Sequence, residues 1–350
     1  MKRILSLCLS LLLLTGMLAG CGENPPEQAQ PTQQEDTTLK ILMIGGSLGY
    51  DTMYMLPAVA QNEGLTDVTF GILYRSAGLS KLTPYAKSGQ PEFAYLEYVS
   101  GEDQVWRRAY SNGNFTYSVP SEANDKYIED GSIAVSADFA LQRQDWDIVI
   151  LMSSSSEITN VGGDLNMANV EAMMDYVKEH DADPSTMPQF GWHMIWSLPE
   201  DESLWNDARR NFMQQHYNGD AMAMFTDNVN NTKQIVVPAL EGKIHYLFPC
   251  AAALQNAKSS TLVEDKDIHR DFIHGTDYAR LIAAYVWYCQ LTGTNIRDCK
   301  FGPVPNGIVR DTAIRNSGKD YVLTEQQKQI LIESVENAIQ NPYELTPSAY

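Results

Sequence analysis

The sequence contains few cysteines, which limits the covalent or metal-stabilised folds that it can form. There are five cysteines in 350 residues, and two of them fall within the first 21 positions. The remaining Cys250, Cys289 and Cys299 form neither an even set nor closely spaced couples. This pattern excludes a disulfide-rich scaffold and a zinc finger, although Cys289 and Cys299 could still form one bridge.

Positively charged residues are also scarce. Lysine and arginine total 25 against 44 aspartates and glutamates, and the formal net charge is −19. Removal of residues 1–20, which contain Lys2 and Arg3, would make the charge −21. Such a chain is repelled by nucleic acids and anionic lipid headgroups, so neither is expected as a partner. The acidic residues are spread along the chain, which is typical of a solvated surface.

Long hydrophobic runs are missing, and the longest one lies near the start. Residues 4–14 are mostly apolar but too few to span a bilayer as a lasting anchor. They follow Lys2 and Arg3 and precede L-A-G-C at residues 18–21, which is a bacterial lipobox. We therefore predict a lipoprotein signal peptide at residues 1–20, cleaved before a lipidated Cys21. An ordinary secretory signal is the alternative.

The predicted mature chain is an extracytoplasmic protein, anchored to the bacterial cell membrane by the Cys21 lipid. Residues 21–38 are rich in Gln, Pro, Glu and Thr without apolar periodicity, which predicts a disordered tether. The following residues 39–350 are expected to form one domain. No obligate protein partner is implied.

Five short apolar runs alternate with helical patterns after residue 38. They predict strands at residues 39–44, 68–74, 146–152, 189–196 and 244–248. Apolar spacing predicts helices at residues 50–61, 137–144, 166–179, 220–233, 251–257, 276–291 and 324–339. The alternation predicts an α/β fold with a flavodoxin-like, doubly wound parallel sheet of about five strands. Residues 79–130 are expected to be an insertion with a β-hairpin turning at Asn112-Gly113.

A candidate nucleophile and its base lie at opposite ends of this domain. Ser47 follows the first predicted strand, and a D-x-x-H step places Asp271 three residues before His274. A histidine can take the proton of an attacking hydroxyl, and a carboxylate can orient the imidazole. Each element has a plainer alternative, because Ser47 and Asp271 are also common helix-capping residues.

Five motifs occur in order along the domain, which are G-G-S-L at residues 45–48, Y-M-L-P at 54–57, W-D-I-V at 146–149, A-L-Q-N-A at 253–257 and D-F-I-H at 271–274. Their order resembles that of the SGNH (GDSL-type) serine hydrolases, and in particular a bacterial lipoprotein branch of that superfamily. The resemblance covers most of residues 39–295. It implies Ser47 as nucleophile, His274 as base and Asp271 as the residue that orients His274.

The resemblance also implies donors for an oxyanion. These are the backbone of Ser47 and a glycine after the second strand, for which Gly78 is the best candidate. The G-x-N-D block of the superfamily is absent, and a run of serines follows Met152 in its place. Ser153 or Ser154 is therefore expected to donate instead. His193 could face the same cleft and touch substrate, although a buried core histidine is the alternative.

Together these features predict a serine esterase that cleaves small acyl esters, such as acetyl esters on carbohydrate, through an acyl-enzyme. A catalytically weak or inactive glycan-binding lipoprotein of the same fold is one alternative, and acyl transfer between glycans is another. His269, with Asp267 and His274, matches no zinc-site spacing. No metal or other cofactor is expected.

Overall fold

Among the residues that the structure describes, nine strands form a mixed sheet at the centre of the protein. The computed structural model describes residues 38–101, 105–110, 112–117, 125–160, 163–183 and 185–350. The strands are β1 (Leu39–Gly45), β2 (Val68–Tyr74), β3 (Phe93–Val99), β4 (Arg107–Ala109), β5 (Phe115–Tyr117), β6 (Ala134–Val135), β7 (Ile148–Met152), β8 (Gln189–His193) and β9 (Ile244–Phe248). Their order is β5-β4-β3-β2-β1-β7-β8-β9, and β6 pairs with β3.

Five of these strands form the parallel part of the sheet. β1 pairs in parallel with β2 and β7, and β8 pairs in parallel with β7 and β9. These are the five strands predicted from apolar runs, and the middle of each of β1, β2 and β7 is buried. Their carboxyl ends therefore share one edge, which is where ligands bind in open α/β sheets.

The prediction of about five strands was too low, because the insertion at residues 79–130 adds β3, β4 and β5 to the sheet, and β6 follows the insertion. β3 runs antiparallel to β2, and β4 and β6 pair with β3. β3 carries the buried Glu97, whose carboxylate lies 2.9 Å from a guanidinium nitrogen of Arg143. A charged residue interrupts the apolar run that would predict a buried strand. The sequence does not show that Glu97 is buried, because its partner Arg143 lies 46 residues later.

The predicted hairpin is present within that insertion. β4 and β5 pair antiparallel, and the N–H of Tyr110 donates to the carbonyl oxygen of Asn114 at 2.8 Å. Gly113 has a φ of 81°, a conformation that glycine adopts without steric cost. The Asn-Gly turn signal was therefore correct.

The structure contains the helices that apolar spacing predicts and others that it misses. They are α1 (Ser47–Glu63), α2 (Leu79–Lys87), α3 (Asp125–Glu129), α4 (Ala137–Leu141), α5 (Ser155–Thr159), α6 (Met167–His180), α7 (Asp207–Tyr217), α8 (Ala221–Asn231), α9 (Val237–Ala239), α10 (Cys250–Lys258), α11 (Asp265–Ile268), α12 (Asp277–Thr292), α13 (Thr312–Ser317) and α14 (Glu325–Gln340). Each of the seven predicted helices is found among them. A π-helical segment, Thr232–Val236, separates α8 from α9.

Helix α1 begins earlier than predicted and continues through Pro57. Pro57 lies in the interior of this helix. Residues 48–60 of α1 are all buried, and the helix packs against α12. Tertiary burial of this kind outweighs the local preference of one proline.

Helices form two packed groups around the sheet. One group contains α1, α10, α12 and α14, and the other contains α2, α4 and α6. The fold is therefore α/β, with a mixed and mostly parallel sheet. Contacts group residues 38–350 into one unit.

The predicted signal peptide, the lipidated Cys21 and the tether up to residue 37 lie outside the described residues. Within the part of the chain that the structure describes, no helix is long and apolar enough to cross a bilayer. Cys250, Cys289 and Cys299 are buried free thiols, so the bridge that Cys289 and Cys299 could have formed is not made.

Candidate active site

A polar cleft of about 670 Å³ lies where β1, β2 and β7 end. We call it the serine cleft. Ser47 lines it after β1, Gly78 after β2, and Ser153 and Ser154 after β7. Ile273 also lines it, from the loop between α11 and α12. Four residues singled out from the sequence therefore share one cavity with a residue of the D-x-x-H step.

Ser47 is the first residue of α1 and is half-buried. The preceding Gly46 is the N-cap, in an extended conformation with no side-chain cap. The capping alternative for Ser47 is therefore wrong. A side chain at Gly45 would meet Cγ of Met152 at 2.5 Å, so Met152 packs closely against the end of β1 just before Ser47. The uncapped first turn leaves backbone N–H groups for a developing negative charge.

Asp271 and His274 form the expected acid–base pair. Nδ1 of His274 lies 2.9 Å from Oδ2 and 3.0 Å from Oδ1 of Asp271. The backbone N–H groups of Ile273 and His274 also donate to Oδ1 of Asp271, at 3.0 and 2.8 Å. Because the carboxylate only accepts, Nδ1 carries the proton and Nε2 is left as the acceptor.

The environment of Asp271 favours its charged form. Partial burial raises the pKa of this carboxyl. The opposite effect is larger, because His274 contributes a hydrogen bond and a charge, and two backbone N–H groups also donate to the carboxylate. The net result is a pKa well below the usual aspartate range. A carboxylate that stays ionised can hold the imidazole in one tautomer and stabilise the imidazolium form.

The loop that carries this pair is fixed at several points. The N–H of Arg270 donates to the carbonyl oxygen of His274 at 2.9 Å, and His269 forms a bridge with Gly275. Nε1 of Trp196 donates to the carbonyl oxygen of Ile273 at 2.7 Å. Backbone contacts before and after His274 in the sequence therefore fix the geometry of the loop.

Ser47 and His274 are brought into one region, but the described residues show no hydrogen bond between them. Ile273, next to His274, lines the cleft that contains Ser47. The charge of His274 also acts on Asp51, which lies one helical turn after Ser47 in α1. Two of the three predicted catalytic groups, Asp271 and His274, are in direct contact.

A carboxylate occupies the space beside Gly78, the predicted oxyanion glycine. A side chain at Gly78 would meet Oε2 of Glu157 at 1.9 Å. Glu157 accepts from the backbone N–H groups of Leu79, Ser80 and Ser154, at 2.9, 2.8 and 3.2 Å. The buried Glu157 therefore accepts hydrogen bonds from backbone N–H groups at the N-termini of both α2 and α5. It also adds negative charge near Gly78, the predicted oxyanion donor.

Of the two predicted serine donors, Ser154 has a structural role. It is the N-cap of α5 and forms a capping box with Glu157. Its Oγ also lies 3.2 Å from Oγ of Ser156. Ser153 is buried at 2% exposure and lines the serine cleft. Ser153 is therefore the better candidate for a side-chain donor.

The prediction that His193 touches substrate is wrong, and the core alternative is correct. His193 is fully buried, and its Nδ1 accepts from Nε1 of Trp287 at 3.0 Å. Burial lowers the pKa of His193 to about 3. The side chain is therefore a neutral part of the core, beneath the edge where β8 ends.

The profile of a family described as "Domain of unknown function (DUF4886)" matches residues 123–336. The chain belongs to the DUF4886 family. A crystal structure of a DUF4886 family protein from Bacteroides uniformis ATCC 8492 is similar, with a TM-score of 0.64 and 19% identity. The match covers 88% of this chain and 97% of that one. At this identity it establishes the fold alone. No curated protein matches the chain.

The family match in this DUF4886 chain contains Asp271 and His274 but begins after Ser47 and Gly78. Sequence reasoning missed two features that shape the site. One is Glu157, and the other is the set of arginines around the buried Asp51, which are Arg270, Arg280 and Arg310. A signal for Glu157 was present, because S-S-S-E at residues 154–157 is a capping-box pattern. The partners of Asp51 left no such local signal. Among the described residues, no cluster of His, Cys, Asp and Glu is arranged to hold a metal ion.

Proposed function

We propose that this protein is a serine esterase that cleaves small acyl esters, such as acetyl esters carried by a glycan. The observation that carries the proposal is the Asp271–His274 pair on a loop that borders the serine cleft. A carboxylate paired with an imidazole near a serine hydroxyl is the usual arrangement for nucleophilic catalysis by serine. The resemblance to the SGNH hydrolases supports the same roles for these residues.

The proposed reaction uses Ser47 as nucleophile. Oγ of Ser47 attacks the acyl carbon while Nε2 of His274 takes its proton, and the carbonyl oxygen becomes an oxyanion. The N–H groups of Ser47 and Gly78, with the hydroxyl of Ser153, are the proposed donors to that oxyanion. His274 then protonates the departing alcohol, and a water activated by the same nitrogen releases the acid from Ser47. Catalytic hydrogen bonds are often long before substrate binds, so we expect the Ser47–His274 contact to form in the complex.

Two finer properties belong to the same proposal. The parallel strands follow the order β2-β1-β7-β8-β9, which supports a flavodoxin-like, SGNH-like arrangement with its site at the switch point beside β1. The lipobox before Cys21 supports an extracytoplasmic enzyme tethered to the membrane by lipid. A tethered enzyme of this kind would meet glycans of the cell envelope or the surroundings.

The test is hydrolysis of p-nitrophenyl acetate together with labelling by a fluorophosphonate probe. We expect Ser47→Ala to lose at least about a thousandfold in kcat/KM, and the probe to modify Ser47 as read by peptide mass spectrometry. Ser203→Ala is a matched control, because Ser203 is an exposed serine outside the serine cleft. Equal rates for Ser47→Ala and the wild type would refute the proposal.

A second candidate function is glycan binding without catalysis. The observation that favours it is the Glu157 carboxylate beside Gly78, since a negative charge there opposes formation of an oxyanion. A protein that binds an acetylated glycan but resists the fluorophosphonate probe would support this candidate over the esterase.

A further inference from the structure

Arg209 lines the serine cleft from α7. Its guanidinium carbon lies 5.6 Å from the centre of the Phe272 ring. Phe272 sits between Asp271 and His274 in sequence and packs against the His274 ring, with centres 6.0 Å apart. The contact with Phe272 therefore holds a positive charge beside the loop that carries the proposed acid–base pair.

Arg209 differs from the next residue of the same helix in having no acidic partner among the described residues. Burial lowers the pKa of Arg209, and no carboxylate acts to raise it. In contrast, Nη1 of Arg210 lies 2.8 Å from Oε2 of Glu202, and Arg210 does not line the cleft. Removing a guanidinium from water without an anion is unfavourable. Acidic residues outnumber basic ones in this chain, which has a net charge of −19. The lack of a carboxylate beside Arg209 therefore does not reflect a shortage of acidic residues.

The other charged groups of the serine cleft leave this role to Arg209. Glu157 is a buried carboxylate that accepts from three backbone N–H groups, so it cannot itself bind an anion. Lys81 and Asp164 line the same cleft but are exposed, and solvent screens their charges. Arg209 therefore combines a cleft position with partial desolvation.

We propose that Arg209 binds an anionic group of the substrate, so that the ester carries a carboxylate. This inference rests on the proposed esterase function, because it names the substrate class of the same site. Guanidinium and carboxylate form paired, charge-assisted hydrogen bonds that strengthen when water is excluded. The carboxylate has two possible sources, which are the acyl chain of the ester or a uronic acid in the glycan.

The first arm of the test places the charge on the acyl chain. p-Nitrophenyl butyrate and mono-p-nitrophenyl succinate have acyl chains of equal carbon number, and only the succinate ends in a carboxylate. We expect Arg209→Gln to lower kcat/KM for the succinate ester by about tenfold, with little change for the butyrate ester. Arg209→Lys should keep part of the preference for the succinate ester over the butyrate ester. The matched control Arg210→Gln should keep all of that preference.

The second arm places the charge on the sugar and does not need turnover. Binding of trigalacturonate to Ser47→Ala protein is measured by calorimetry and compared with binding of the uncharged trimethyl ester. If the sugar is the source, trigalacturonate binds more tightly, and Arg209→Gln in the Ser47→Ala background removes that difference. Arg210→Gln in that background should again have no effect.

The two arms separate failure of this inference from failure of the esterase function. If Ser47-dependent turnover is present but Arg209→Gln shows no charge-specific effect in either arm, Arg209 does not bind an anion and the esterase proposal stands. If Ser47→Ala hydrolyses both esters at the wild-type rate, the esterase proposal fails. In that case the calorimetric arm still decides whether Arg209 binds the carboxylate of a uronic acid.

Discussion

Nη1 of Arg270 lies 2.9 Å from Oδ2 of Asp51. Asp51 is fully buried one turn after Ser47 in α1, whereas Arg270 directly precedes Asp271. This ion pair joins the helix that presents the proposed nucleophile to the loop that presents the proposed base. Arg270 also donates to the carbonyl oxygen of Gly275, so one side chain closes the loop and docks it on the helix.

The same carboxylate is the centre of a larger buried network. Arg310 and Arg280 approach Asp51 at 3.5 and 3.9 Å, and Arg280 also pairs with Asp277 at 2.6 Å. Burial raises the pKa of Asp51, but the charges of the three arginines have the larger, opposite effect. The pKa of Asp51 is therefore lower than the usual aspartate value. Opposite charges that are buried together compensate one another. Loss of one leaves its partner buried without a counter-charge, which is unfavourable in the low-dielectric interior.

We expect Arg270→Gln to destabilise the protein and to lower its turnover. Loss of this partner of Asp51 should reduce the free energy of unfolding by about 2 kcal/mol, less than for a fully buried pair because Arg270 is 24% exposed. Urea denaturation measures the stability, and kcat for p-nitrophenyl acetate measures the positioning of His274. Arg297→Gln is the control, since Arg297 pairs with Glu336 on the surface. Arg270→Lys should recover part of both losses, and equal effects of Arg270→Gln and Arg297→Gln would contradict the positioning role.

Asp271 should make stability depend on pH in the acid range. Its pKa in the folded protein is lowered from the ordinary value of 3.8. A lowered carboxyl pKa contributes stability above the unfolded value, and this contribution is lost as the pH falls through the folded value. The stability difference between the wild type and Asp271→Asn should therefore be largest near neutral pH and shrink below pH 3.8. Denaturant unfolding at a series of pH values checks this, and a difference that stays constant would disagree with it.

His193 should add a second pH effect of a different origin. Its pKa is lowered from 6.5 to about 3 by burial, so the unfolded chain binds a proton that the folded protein rejects. Stability should fall as the pH drops from 6.5 towards 3. His193→Gln keeps an acceptor for Trp287 and cannot titrate, so its stability should fall less steeply over that interval. Identical slopes for the two proteins in denaturant unfolding would rule out this contribution.

Gly78 and Glu157 should behave as a coupled pair. Gly78→Ala places a methyl group where Oε2 of Glu157 lies, at 1.9 Å, and we expect a loss of about 3 kcal/mol. In a Glu157→Ala background the space is open, so the same glycine substitution should have a much smaller effect. A double-mutant cycle in urea denaturation measures the coupling. Additive losses would show that Gly78 is needed for a reason other than the room it leaves for Glu157.

Local pattern was enough to predict the parallel core of this fold but not all of its elements. Apolar runs placed the five parallel strands, and helical spacing placed seven helices, whereas β3, α2 and α7 were missed. The Asn-Gly signal placed the hairpin turn. These features depend on residues that are close together in the chain, so their side-chain periodicity can be read directly. The D-x-x-H step is local for the same reason, and the Asp271–His274 contact followed from it.

The tertiary structure decided what surrounds those elements. Whether Ser47 shares a cleft with Ile273, whether Glu157 fills the space at Gly78 and whether Arg270 reaches Asp51 all depend on contacts between distant segments. For the same reason the buried pairing of Glu97 with Arg143 was not predicted, and the burial of His193 was only one of two alternatives. A polar side chain does not reveal in sequence whether its partner is water or another buried group. That choice is made only when the sheet and helices pack and water is excluded.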